Sequence, residues 1–84
     1  MSYTVIWRHE ALDDLTTAWM MAADRDAVSV ASAQIDRLLR ASPLDQGESR
    51  EDDTRVLFIR PLGVEYDVEE GDRKVYVNSV WRIR

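Results

Sequence analysis

Arginine is the side chain with the most chemistry to offer in this sequence. Arg60, Arg82 and Arg84 all fall in residues 55–84, which carry six basic and five acidic side chains, whereas residues 1–42 carry four and six, and residues 43–53 one and five. A guanidinium presents a planar fork of donors that matches phosphate or carboxylate oxygens. If these arginines cluster on one side of the molecule, they make a local positive patch on a chain of net charge −5, suited to a phosphate backbone or an acidic protein segment. Each has a plainer reading: Arg60 as support for the adjoining turn, Arg82 and Arg84 as solvated terminal residues. Histidine is the side-chain type most used for acid–base work, yet at a helix start a local polar role suffices for His9. The run Glu51-Asp52-Asp53 reads as a solvated face, because no regular ligand spacing supports calcium.

Composition narrows the field further. Eighty-four residues make one small domain, residues 1–84, near the lower size at which a chain folds without staples. With no cysteine and one histidine, disulfide scaffolds, thiolate chemistry and histidine-rich metal sites are excluded, and neither a metal nor a cofactor is expected. No apolar run approaches the roughly 20 residues that span a bilayer, and Met1-Ser2-Tyr3 leads directly into patterned sequence, so the expectation is a cytoplasmic protein with no membrane association. The acidic balance argues against nucleic acid as a default partner.

The elements that must position these residues follow from periodicity. Tyr3, Val5 and Trp7 alternate with Thr4, Ile6 and Arg8, predicting a strand over residues 3–8. From Glu10, Leu12, Leu15, Trp19 and Ala22 recur at helical spacing, which points Trp19 inward and makes Met20 and Met21 packing residues. Asp24 or Asp26 can cap a second helix with Val28, Ala31, Ile35, Leu38 and Leu39 as its apolar stripe, stopped by Ser42-Pro43. Residues 43–54 show no period and a strong acidic bias, predicting a mobile loop. Three strands follow, over residues 55–60, 62–68 and 74–81, with a turn at Pro61-Leu62-Gly63 and a hairpin loop at residues 69–73. In the middle strand Val64, Tyr66 and Val68 oppose Glu65 and Asp67, so only one face of the sheet is dry. The expected fold is α+β, in the order β-αα-βββ: a helical hairpin packed on a mainly antiparallel four-stranded sheet. Of the three tryptophans, Trp81 is the one expected at an interface.

In this order the sequence resembles the RelE/ParE toxin superfamily of bacterial type II toxin–antitoxin, or plasmid stabilisation, systems. The resemblance lies in Tyr3-Thr4-Val5-Ile6-Trp7 followed by His9-Glu10-Ala11-Leu12-Asp13-Asp14-Leu15, then in Arg55 to Leu62, Val64 to Val68 and Val75 to Trp81. It implies a cognate antitoxin as partner, and either cleavage of messenger RNA on the ribosome or inhibition of DNA gyrase as the toxic activity. A homodimer is the candidate oligomer. RNA cleavage needs stabilised phosphate charge and a proton-transfer pair; the resemblance assigns the former to Arg60 and Arg82 and the latter to Tyr66 or Glu65, while Tyr66 also matches a family tyrosine that is mostly structural. Partner binding would fall to Arg60, Trp81, Arg82 and Arg84. An exposed sheet edge, or the groove between hairpin and sheet, could accept an antitoxin strand or helix. Two departures accompany the match: Gly63 stands where many relatives have an arginine, and the sequence ends at Arg84, short of the tail in which ribonuclease members often place a catalytic Tyr or His. With the acidic balance, they weigh against RNA cleavage and favour a non-toxic binding or regulatory domain without catalysis, while gyrase inhibition competes because a protein target does not demand a basic surface.

Overall fold

A strand of only four residues opens the chain, because its β-branched and aromatic run is cut off where Arg8 turns into a helix. The computed structural model describes residues 2–83; Arg84, one of the arginines singled out above, lies outside them. Strand β1 is Thr4–Trp7, helix α1 His9–Met21 and helix α2 Arg25–Ala41; a short 3₁₀ turn at Pro43–Asp45 precedes β2 (Glu48–Glu51), β3 (Thr54–Ile59), β4 (Leu62–Glu69) and β5 (Lys74–Arg82). They form one sheet in the order β1-β5-β4-β3-β2. Strand β1 runs parallel to β5, and the other pairings are antiparallel. Among the described residues no helix is long and apolar enough to cross a membrane.

The α+β class and the helical hairpin on a mainly antiparallel sheet match expectation, but the sheet has five strands rather than four. The added strand, β2, lies within residues 43–54, which are therefore not a mobile loop. All four of its residues are exposed, so it carries no alternation for the eye to find; it is held by pairing with β3 across a bulge between Ser49 and Glu51. Short, charged and irregular, it is the kind of edge that resists pairing with other chains. Gly47 just before it has φ +65°, and a Cβ there would stand 2.2 Å from the carbonyl oxygen of Val56, so the approach of this segment to β3 requires glycine.

The core lies between the helices and one face of the sheet. Leu57 of β3, Leu62, Val64, Tyr66 and Val68 of β4, and Val75, Val77 and Val80 of β5 supply the sheet side. Val28, Ala31, Ile35 and Leu39 supply α2's side, as its spacing predicts. Helix α1 corrects the sequence reading: its buried residues are Ala11 and Ala18, with Leu15 and Ala22 packed partly against the core. Leu12, Trp19, Met20 and Met21 are exposed. Two alanines facing the sheet let α1 lie close to β5, and the larger side chains fall on the far side. Trp19 instead carries the Arg25 guanidinium, 4.5 Å above its ring, and Met20 and Met21 are surface residues rather than packing residues.

Two polar contacts fix where the helices sit. Asp24 caps α2 by accepting from the Ala27 N–H at 3.0 Å, satisfying a donor that has no partner inside the helix. Asp24→Ala should therefore lower stability by about 1 kcal/mol, read as a shift of the urea midpoint. The second contact is made where β5 outruns β1. Strand β1 pairs only with Lys74 to Val77, leaving the later residues of β5 with an uncovered edge, and there Asp14 of α1 accepts the Val80 N–H at 3.1 Å.

Candidate functional site

The face of the sheet away from the helices is open, and register shows what lies on it. In β4 the residues between the core positions are Gly63, Glu65, Asp67 and Glu69. Gly63 stands opposite Phe58 on β3 and Trp81 on β5, Glu65 opposite Val56 and Ser79, and Asp67 opposite Thr54 and Tyr76. Glycine at 63 has a direct consequence: a Cβ there would meet the Trp81 indole at 2.6 Å. The indole occupies the space that a side chain at 63 would fill. Phe58 meets it edge-on, with ring centroids 6.1 Å apart and planes inclined by 76°, a favoured geometry for aromatic pairs. The two rings make a corner over Gly63 that stays open to solvent, Phe58 being 50% and Trp81 37% exposed.

Charge is graded along this face. Arg60 is exposed in the turn after β3, close to the aromatic corner in sequence, while Arg82 pairs in register with Leu62 at the same end but on the helix side of the sheet. Toward the other end come Glu65, Asp67 and Glu69. There Asp52, Asp53, Asp67 and Glu69 line a shallow cleft of about 360 Å³ together with Arg8 and Tyr76. The Asp52-Asp53 turn begins β3 and Arg60 follows its end, so the acidic turn is off the arginine end by on the order of 20 Å of strand. Asp67 accepts from the Thr54 hydroxyl. Arg8 lies 4.6 Å over the Tyr76 ring and donates to Asn78 Oδ1 at 2.7 Å.

The residues assigned to catalysis separate. Tyr66 is completely buried on the helix side of β4, and its hydroxyl lies 2.8 Å from both the Pro43 and Gln46 carbonyl oxygens. Burial pushes this phenol above its usual 10.0, while nearby Arg55 pulls the other way. The structure places this hydroxyl away from the open face, where it keeps its proton and shares it between two backbone oxygens. Arg82 turns toward the helices as well, donating from Nη1 to the carbonyl oxygen of Met21 at the end of α1, 3.1 Å away. A cation there suits the negative end of the helix. Arg82 and Trp81, neighbours in sequence, therefore leave β5 on opposite faces. Trp81 and Glu65 remain at the open face, with Arg60 exposed in the turn beyond β3; Phe58, which the sequence reading passed over, completes it. His9 is 3.4 Å from Asp13 on the outside of α1, remote from this surface. Among the described residues no His, Asp and Glu side chains gather in a group that could hold a metal ion.

This arrangement of a helical hairpin on one face of a mixed sheet is similar in fold to solved chains of toxin–antitoxin systems. The likeness extends over almost the whole chain. A chain of the RelBE2 toxin–antitoxin complex of Mycobacterium tuberculosis superposes with a TM-score of 0.73 at 15% identity, covering 98% of this chain and 92% of that one. A chain of the chromosomal ParDE system of P. aeruginosa gives 0.74 at 16%, covering 98% and 97%. The free form of an arginine-substituted E. coli RelE toxin gives 0.72 at 16%, covering 98% and 84%. No protein-family model matches the sequence, and no curated protein matches it.

Proposed function

We propose that this chain is the toxin-like component of a type II toxin–antitoxin module, bound in the cytoplasm by a cognate antitoxin, and that it acts on a protein target, with DNA gyrase as the candidate, rather than by cutting RNA. The observation that carries the first part is the fold itself, which coincides over 98% of the chain with proteins solved as parts of the RelBE2 and ParDE systems. The character of the open face supports the second. Cleavage of RNA requires cations around the phosphate and a proton-transfer pair at the 2′-OH and the leaving oxygen. Here the Tyr66 hydroxyl is inside the protein, Arg82 is engaged with α1, and Glu65 has Val56 and Ser79 rather than a cation as cross-strand neighbours. A partner protein, by contrast, finds two exposed aromatic rings with Arg60 nearby, the mixture of aromatic and arginine side chains that anchors protein interfaces.

Expression from an inducible promoter in a bacterial host tests this reading. Growth arrest is expected, relieved by co-expression of a small adjacent reading frame whose product co-purifies with the chain. Purified protein should inhibit supercoiling and leave ribosome-bound messenger RNA intact. RNA cleavage that Arg60→Ala abolishes would restore the ribonuclease reading. A stable complex without growth arrest would favour the other reading, a binding or regulatory domain without toxicity, which the filling of the Gly63 position by Trp81 also supports.

A further inference from the structure

The open face pairs an aromatic corner with a run of carboxylates, and this juxtaposition specifies the chemistry of what binds it. We propose that it docks a cationic polypeptide segment of a partner protein, one with an apolar side chain followed by several arginines or lysines. The apolar side chain seats in the Phe58–Trp81 corner and the basic ones lie over Glu65, Asp67 and Glu69. The inference deepens the preceding reading by naming the partner's chemistry, and rests on it only in taking the open face as the partner surface.

Spacing and charge carry the argument. Gly63, Glu65, Asp67 and Glu69 point from one face of β4 at two-residue intervals, so an anchor point is followed by three carboxylates about 7 Å apart. The Asp52-Asp53 turn adds two more beside Asp67. The cations on this part of the face are already placed: Arg8 is stacked on Tyr76 and bonded to Asn78, and Lys74 stands opposite Glu69 in register. Arg8 over Tyr76 also displays the contact a partner would extend, a guanidinium on an aromatic face beside carboxylates. A phosphate backbone would meet like charge along most of this surface. So would a second copy of the chain laid face to face, since it would set the same carboxylates against one another. A purely apolar helix would bury the charges of Glu65 and Asp67 with no cation to balance them, at a cost no corner of two rings offsets. Arg60, at the aromatic end, fixes direction by favouring a carbonyl or carboxylate of the segment there and its basic residues at the far end.

The probe is a fluorescein-labelled peptide, Leu-Leu-Gly-Arg-Gly-Arg-Gly-Arg, titrated with the full chain and followed by anisotropy, with the tryptophan indole N–H resonances read in parallel. Its counterpart with glutamate for arginine and a single-stranded RNA serve as comparisons. Only the arginine peptide should bind, it should move the Trp81 indole resonance while leaving Trp7 and Trp19 in place, and its affinity should fall with added salt. Glu65→Lys should weaken binding about tenfold or more, Glu65→Gln less, and Phe58→Ala should weaken it without altering the salt dependence. Glu10→Lys, the same charge change on the exposed start of α1, should leave affinity within about twofold. Equal binding of the glutamate peptide or the RNA, an unmoved Trp81 resonance, or an equal loss from Glu10→Lys would overturn the proposal. Peptide binding as described in a chain that causes no growth arrest would sustain this inference and defeat the toxin reading; arrest without peptide binding would do the reverse.

Discussion

Tyr66→Ala should cost about 3–5 kcal/mol, a large share of the about 5–15 kcal/mol that holds an ordinary domain together, and should leave much of the protein unfolded at moderate urea. The ring is completely buried at the centre of β4, and its hydroxyl serves the carbonyls of Pro43 and Gln46, joining the sheet to the segment that leads into β2. Tyr66→Phe keeps the ring and removes only the donor. It should cost about 1–3 kcal/mol, the penalty for taking a donor from the buried Pro43 carbonyl oxygen, and should speed amide exchange in β2 ahead of the rest of the sheet. Arg55 would hold part of that segment, since it donates to the carbonyl oxygens of Gln46 and Gly47. If Tyr66→Phe proved as stable as the parent yet lost activity, the hydroxyl would be doing chemistry and its structural role would be wrong.

The second large effect is expected at Asp36. Its carboxylate receives the Trp7 indole N–H at 3.0 Å and the Arg40 guanidinium at 2.8 Å, tying β1 to α2 where Arg40 also accepts the Tyr3 N–H through its backbone carbonyl. Burial raises the affinity of this carboxylate for a proton, but the bonds from Trp7 and Arg40 outweigh it and hold its pKa below the ordinary 3.8. A carboxylate depressed in the folded state stabilises that state above its unfolded pKa and loses this contribution as pH falls through the folded value. Asp36→Ala should therefore lower stability by about 1–3 kcal/mol at neutral pH. The gap should stay constant down to the ordinary aspartate range and close below it. Urea midpoints of both proteins across that range measure it, and a gap that widened in acid would refute the assignment.

Where the sequence was a good guide, the reason is burial on one side. Strands β3, β4 and β5 alternate because one face is dry and the other wet, and α2 announces itself through Val28, Ala31, Ile35 and Leu39. Helix α1 misled because size is not orientation: Leu12 and Trp19 look like core residues, yet close approach to β5 selects the alanines. Strand β2 was invisible because an exposed edge of Glu, Ser and Arg has nothing to bury; tertiary pairing made it a strand. The candidate site was legible in its parts, through Arg60 and Trp81, but not in its assembly. That Gly63 gives its space to an indole from the neighbouring strand, or that adjacent Trp81 and Arg82 leave on opposite faces, depends on register, which no local pattern encodes. Phe58 had a signal available, an aromatic in alternation with Leu57 and Ile59 and hence on the wet face.

Asp14 gives the uncovered end of β5 an unusual kind of availability. Because its carboxylate already holds the Val80 N–H, a strand arriving at that edge cannot simply add a bond; it has to exchange one, expelling a charged group into water as it docks. At Val80 the count of hydrogen bonds stays level through such a substitution, so this position adds no net pairing to an incoming strand and more of the selection of a partner passes to its side chains. An edge closed in this way discriminates against promiscuous strands, including those of its own copies crowded together during synthesis, and admits only a chain whose remaining contacts make the displacement worthwhile.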